Sequence, residues 1–450
     1  MLYGIFEDKA FLKRMWSLTL PISLQSLLLA LVAAADAIML GRVDQDSMAA
    51  VSLATQIQFI QNMLVWAAVC VVSILGAQYW GKGDRETLEK ILGISVRHTT
   101  FVCVLFFAGC VFAPRPLMRL FASDPRLVDI GIVYLRWAGW SYLLTGLSQS
   151  ILAMLKVSDH ATRTAWISGS AVVINIILNA VFIFGLCGAP AMGVRGAALA
   201  TVIARVFELA WCLACARKKG FIRFRISRIF CFDKLLNHDF RKNMLTILAT
   251  SLLWGVGFAS YTAFMGHLGP DSAAANSVAA VVRDLLCCFC NGLCAAAGIL
   301  VGNELGAGKL EKGKLYGNRL MVLSFIIGIM CTVLVLASIP LVLRFVKLTD
   351  QASGYLVGMF VILSVYMIGR TVNTITINGV FYAGGDTFFD TYSVIVAMWL
   401  IAVPCALLGT FFLHWHVLLV YGCTCLDEVG KIPWVLAHHY RYKWVKNLTR

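Results

Sequence analysis

The chain has 450 residues, 60% of them hydrophobic and 14% charged, and its 38 Lys and Arg against 23 Asp and Glu leave a formal net charge of +15. So little charge on a chain long enough for about three soluble domains excludes soluble domains, intrinsic disorder, a secreted disulfide scaffold and a lone anchored enzyme, and leaves an all-α membrane protein. The basic excess is assigned to cytoplasmic loops facing anionic lipid, so membrane lipids are expected partners and nucleic acid is not.

Apolar runs between charged and Gly/Pro punctuation predict twelve transmembrane helices. They lie near residues 15–41, 50–79, 93–113, 128–155, 163–186 and 194–216, then 243–266, 274–303, 319–341, 352–382, 388–412 and 417–439. The first run is too long and too late for a cleaved signal peptide. A basic stretch, 217–242, separates an N-terminal six-helix lobe at 1–216 from a C-terminal one at 243–450. Lys9, Lys13 and Arg14, Lys82, Arg85 and Lys90, the 217–242 stretch, and Arg441, Lys443 and Lys446 all fall on one face. The positive-inside rule makes that face cytoplasmic, with both termini, in the cell (inner) membrane; Arg115, Arg119 and Arg126 dissent from the other side.

The 15 cysteines include Cys287, Cys288 and Cys290 inside an apolar run, where they read as packing residues. Cys212 and Cys215 lie on an apolar helix with no second pair at zinc-ribbon spacing. The eight His form no HExxH motif or His/carboxylate cluster, so neither a metal site nor a cofactor is expected.

The chain repeats itself with an offset of 225 residues: GRVDQDSMAAVS at 41–52 faces GHLGPDSAAANS at 266–277, identical at six of twelve positions. Gly81-Lys82-Gly83 faces Gly306-Ala307-Gly308 in the same register, and Val157-Ser158-Asp159 faces Gly384-Gly385-Asp386 at an offset of 227. Each half holds six spans, an even number, so both halves enter the membrane in the same sense and the pseudo-symmetry axis runs along the membrane normal. Two such lobes suit alternating access around a cavity.

Pro21 fifteen residues before the intramembrane acid Asp36, the Met39-Leu40-Gly41-Arg42 exit, Gly81-Lys82-Gly83-Asp84, Gly193-Val194-Arg195-Gly196-Ala197-Ala198 leading into Ala200-Thr201, and Ala383-Gly384-Gly385-Asp386-Thr387 appear in this order. Together they resemble multidrug and toxic compound extrusion (MATE) transporters over nearly the whole chain. The resemblance implies a V-shaped pair of six-helix bundles that exports organic, often cationic compounds in exchange for protons or sodium ions, as a monomer.

Intramembrane charges are functional hypotheses by default. Asp36 lies among Ala33, Ala34, Ala35 and Ala37 with no basic residue nearer in sequence than Arg42, six residues on, and its repeat partner is Tyr261. A carboxylate poorly solvated there can exchange a proton, or hold sodium, so coupling is expected in the N-terminal lobe. Asn175 and Asn179, four apart, share one helix face; the resemblance places them beside Asp36 with Thr201. Some members carry an aspartate where this chain has Asn179, which leaves Asp36 the lone carboxylate of the site and both coupling ions open. Pro21 is the candidate hinge. In the C-terminal lobe Asp284, Arg370 and Tyr261 are secondary candidates; Arg283, Asp284, Arg370, Asp427, Glu428 and Lys431 are expected to pair among themselves, with Arg283, Asp284 and Arg370 as one group, and Arg205 with Glu208.

Two other functions compete. A lipid or lipid-linked flippase of related architecture favours a strongly basic cavity, against Asp36 and Asp284. A polytopic enzyme lacks HExxH, GxSxG, P-loop or paired His/Asp motifs. Secondary antiport of small organic cations is the reading the sequence favours.

Overall fold

The computed structural model describes residues 8–122, 124–218, 220–230, 233–346 and 348–449, with side chains for all of these except 33, 34, 37, 38 and 226. Residues 219, 231 and 232 of the expected linker lie outside the described residues. Described elements are helical throughout. The first half contains α1 (Lys9–Gly41), α2 (Gln45–Lys82), α3 (Arg85–Phe112), the short α4 (Pro114–Arg119), α5 (Pro125–Val157), α6 (Ala161–Phe184) and α7 (Val194–Ala216). After the short α8 (Ile226–Ile229) come α9 (Lys234–His267), α10 (Pro270–Gly306), α11 (Leu310–Phe345), α12 (Asp350–Phe381) and α13 (Phe388–Phe412). α14 (Val417–Val429) and α15 (Ile432–Tyr440) end the series.

Ten of the described helices are long and apolar enough to cross a membrane. The 33-residue α5 and the α14–α15 pair complete the expected twelve-helix, two-bundle membrane fold. The span expected over 417–439 is broken: α14 stops at Gly430, and Pro433 sits in the first turn of α15. Proline has no N–H to donate, so it suits the first turn of a helix and weakens or kinks an interior. The 217–242 stretch is not wholly a loop either, since it contains α8 and the start of α9.

Helix ends follow local chemistry. Asp44 caps α2 by accepting from Ser47 N and Ser47 Oγ, both at 2.6 Å, and Asp84 caps α3 through Thr87 N at 3.0 Å and Thr87 Oγ1 at 2.7 Å. α2 ends on Gly83 with φ +82°, and its repeat mate Gly308 has φ +76°. Both stand in the left-handed region open to glycine, so the repeat is one of conformation as well as letters. α12 and α13 contain π-helical stretches at Thr374–Phe381, Ile395–Ala402 and Leu408–Phe412.

The chain forms two compact units: one from Leu24 to Met244, the other from Ser23 and the described residues before it together with Leu245 onward. In the first, α5 is central and packs on α2, α3 and α7; in the second, α12 is central and packs on α10, α11 and α14. These are the fourth spans of their respective halves. Close approach of α5 to α3 needs Gly146, where an added Cβ would lie 2.8 Å from Cys103 Sγ and 2.9 Å from Thr99 Cβ. Hydroxyls and amides join the helices where apolar solvent gives no hydrophobic drive: Ser95 Oγ lies 2.9 Å from Ser150 Oγ, and Gln61 Nε2 donates to Tyr142 O at 2.9 Å. In the second unit the first turns of α1 are an integral part, with Phe11, Met15, Leu18, Thr19 and Ile22 buried and the Phe11 ring 4.7 Å from Tyr316.

Candidate functional site

A cavity of about 870 Å³ opens within the Leu24–Met244 unit, walled by α1, α2, α5, α6 and α7. Its volume lies in the range of small-molecule sites. Asp36 reaches it from α1, Asn175 from α6 and Thr201 from α7. Asn179 Nδ2 donates to Asp36 Oδ1 and, at 3.2 Å, to Asn175 Oδ1; Asn175 Nδ2 donates to Thr201 Oγ1 at 3.3 Å; Thr201 Oγ1 donates to Ala197 O at 3.0 Å. The four residues singled out in the sequence thus form one chain of hydrogen bonds. Asn175 and Asn179 meet because four residues bring side chains onto one helix face.

Among the described residues Asn179 alone donates to the acid, and the remaining donors run away from it towards Thr201 and Ala197 O. Asp36 is half-buried in the wall and accepts one amide N–H, from Asn179. Oδ1 of Asn179 is buried and has no hydrogen-bond partner among the described residues. An oxygen left without a donor beside a carboxylate fits a hard cation or a protonated carboxyl, either of which supplies what the oxygen lacks. Among the described residues no group of three or more His, Cys, Asp and Glu is disposed to hold a metal ion.

Pro21 lies inside α1, twelve residues past its start, in a helix that continues unbroken to Gly41. It removes one main-chain hydrogen bond and crowds the preceding turn. Arg205 and Glu208 pair as expected, with Arg205 Nη1 at 3.1 and 3.0 Å from the two carboxylate oxygens.

In the second unit the expected grouping of Arg283, Asp284 and Arg370 is corrected. Arg283 Nε donates to the adjacent Asp284 at 2.9 Å, and the Asp284 side chain is 68% exposed. Arg370 instead donates to Glu428 of α14 at 2.7 Å and lies over the Trp254 ring at 5.5 Å. Glu428 also accepts from Asn373 Nδ2 at 2.7 Å on both its backbone and its side chain, and Lys431 Nζ is 3.9 Å away. Asp427 and Glu428 are each 2% exposed. Tyr261, the repeat partner of Asp36, is buried on α9, its hydroxyl facing Asp427 without closing a well-formed hydrogen bond. Where the first unit has a carboxylate in a cavity, the second has carboxylates tied to its own cations. The expected pairing of Arg370 with the acids near 427–431 is met by Glu428, while its role as hub and the absence of Asp284 from the group depend on which helices meet. The run Asp427-Glu428 and Lys431, an acid–base cluster one turn across in an otherwise apolar stretch, is the sequence signal for it.

Comparison with known proteins bears on the whole chain. The MatE family model matches twice, at residues 21–181 and 246–408. The two matches begin 225 residues apart and end 227 apart, the offsets of the internal repeat. The chain is 25% identical over 406 residues to the uncharacterized transporter YisQ of Bacillus subtilis, covering 89% of this chain and 88% of that one. It is 25% identical to the probable multidrug resistance protein NorM of Pasteurella multocida, covering 87% and 85% respectively. Its fold matches two solved structures with a TM-score of 0.85, 18% identity and 96% coverage of both chains: an outward-facing multidrug resistance transporter of the MATE family, and a MOP superfamily transporter from Pyrococcus furiosus whose binding pocket is described as of reverse polarity.

Proposed function

The chain belongs to the MatE family of multi-pass membrane transporters, and from that premise we propose that it is a secondary antiporter exporting organic, often cationic compounds in exchange for protons or sodium ions by alternating access. The observation that carries this reading is the Asp36–Asn179–Asn175–Thr201 chain on the wall of a drug-sized cavity. An antiporter needs one site at which ion and cargo oppose each other, and reciprocity requires each to weaken the other by the same factor. Ionised, Asp36 attracts a cationic compound in a cavity of low dielectric. Protonated, or holding sodium with Asn179 Oδ1 and Thr201, it no longer does, and the cargo leaves. Pro21 gives α1 a point at which to bend between these states.

The cavity site is unequal between the halves: Tyr261 stands where the second half would need an acid. Coupling therefore rests with the first half, and Arg370 and Lys431 act as built-in counter-cations for Glu428 in the second. The cytoplasmic placement of both termini and of the 217–242 stretch rests on their basic charge, and the stretch pairs through Arg225 and Arg228 with Glu86 and Glu89 at the start of α3. That contact puts the stretch on the face that also carries Lys82 and Arg85.

Asp36→Asn mimics the neutral acid permanently. The variant is expected to fold and reach the membrane, yet lose gradient-driven export and the pH or sodium dependence of cargo binding, measured in proteoliposomes with separate proton and sodium gradients. Export at the wild-type rate with unchanged ion dependence overturns the assignment and moves attention to Asp427 and Glu428.

A further inference from the structure

The cavity that holds Asp36 carries the opposite charge at its other end. Lys156, next to last in α5, and Arg205 and Glu208 of α7 line the same space. Arg205 spends one guanidinium nitrogen on both oxygens of Glu208, which is 2% exposed, so that pair is neutral as a unit. Lys156 is half-buried and makes no hydrogen bond or ion pair among the described residues; Glu208 acts on it only through space. Two cations and one carboxylate leave this end with a net charge of +1. Arg205 and Glu208 follow Thr201 by one and two turns, about 6 and 11 Å along α7, and Thr201 closes the amide chain from Asp36. Negative and positive ends thus stand within reach of one drug-sized molecule.

A lysine at a helix end ordinarily carries its ammonium out to the headgroups and water, at little cost. This one points its stem along the cavity wall. There an uncompensated charge is expensive, and the neighbouring carboxylate is already engaged by Arg205. A ligand carboxylate supplies the missing charge with charge-assisted hydrogen bonds to Lys156 and to the guanidinium nitrogens that Glu208 leaves unused.

We propose that Lys156, with Arg205 beside it, forms an anion-binding subsite, and that the exported compounds include zwitterions whose cationic group lies at Asp36 and whose carboxylate lies at Lys156. This deepens the export reading and rests on it for the role of Asp36. It also restricts the class of cargo: a carboxylate-bearing organic cation is favoured over the same cation without one.

The test uses purified full-length protein and two dyes of one scaffold, rhodamine B, zwitterionic at neutral pH through its free carboxylate, and its ethyl ester, which carries the cation alone. Dissociation constants come from fluorescence anisotropy. The wild type is expected to bind the acid more tightly than the ester, and Lys156→Met to lower the acid-to-ester affinity ratio by about tenfold, the loss of one charge-assisted contact. Lys156→Arg retains the preference, which shows that charge and not shape is read. Equal wild-type affinities, no binding of either dye, or a ratio that survives Lys156→Met overturns the proposal. The two readings fail separately. Ester export that follows an ion gradient with no carboxylate preference removes the anion subsite alone; a Lys156-dependent preference in a protein that follows neither gradient removes the coupling alone.

Discussion

Asp44 shows how a single exposed residue sets an element. Its carboxylate accepts from the main chain and hydroxyl of Ser47 at the start of α2, and the Ser47 hydroxyl, followed by its N–H, holds the Asp44 carboxyl below the usual carboxylate range. A group whose value falls on folding contributes stability above its unfolded value, near 4 for aspartate, and loses it as pH falls through the folded one. Asp44→Ala is therefore expected to cost about 1 kcal/mol at neutral pH, read as a lower melting temperature in detergent, with the gap to wild type closing below about pH 4. A gap that persists in acid would show that the cap acts through something other than its charge. At this scale Asp36 was legible because an acid among alanines is conspicuous, and Asn175 and Asn179 because their spacing fixes a shared face. Lys156 was not: a basic residue at the end of an apolar helix is what any loop boundary shows, and only the cavity wall distinguishes it.

At the scale of elements, the meeting of α12 and α14 depends on Glu428. Its side chain is 3% exposed and is held by Arg370, Asn373 and Lys431. Removing one partner of such a group leaves buried charge uncompensated and costs about 3–5 kcal/mol. Glu428→Gln is expected to lower the folded yield strongly by fluorescence-detected size exclusion. Asp284→Asn, at a side chain 68% exposed and bound only to its neighbour Arg283, is expected to change yield little, as surface pairs contribute less than about 1 kcal/mol. Equal losses from the two would refute this division. Hydropathy located the helices but not their lengths: α2 runs from Gln45 to Lys82 rather than over 50–79, since capping chemistry and not the bilayer decides where a helix ends. It also missed the break before α15, because one proline scarcely changes an average over a window.

For the whole molecule, the doubled sequence announces a doubled fold, while the contents of the halves have diverged. One half keeps a cavity with an acid; in the other, Glu428 is held by Arg370 and Lys431. The proposed topology rests on the basic loops, and Arg115, one of the dissenters, lies 3.1 Å from Asp129, so part of the opposing charge is locally cancelled. With the 15 native cysteines replaced, Lys218→Cys is expected to react with a membrane-impermeant maleimide in inside-out vesicles and not in intact cells; strong labelling from outside refutes the cytoplasmic assignment. The packing of α1 was not legible, because amphipathic pattern says that a face is buried and not by which partner. Its early turns complete the unit that begins again at Leu245: Asp8 accepts from Arg319 Nη1 at 2.6 Å, and Ser23 Oγ donates to Phe289 O at 3.3 Å. In terms of fragment complementation, the two halves are not separable goods. A C-terminal fragment expressed alone lacks the surface against which Tyr316 and Arg319 pack, and co-expression with a segment carrying residues 8–23 is expected to raise its folded yield.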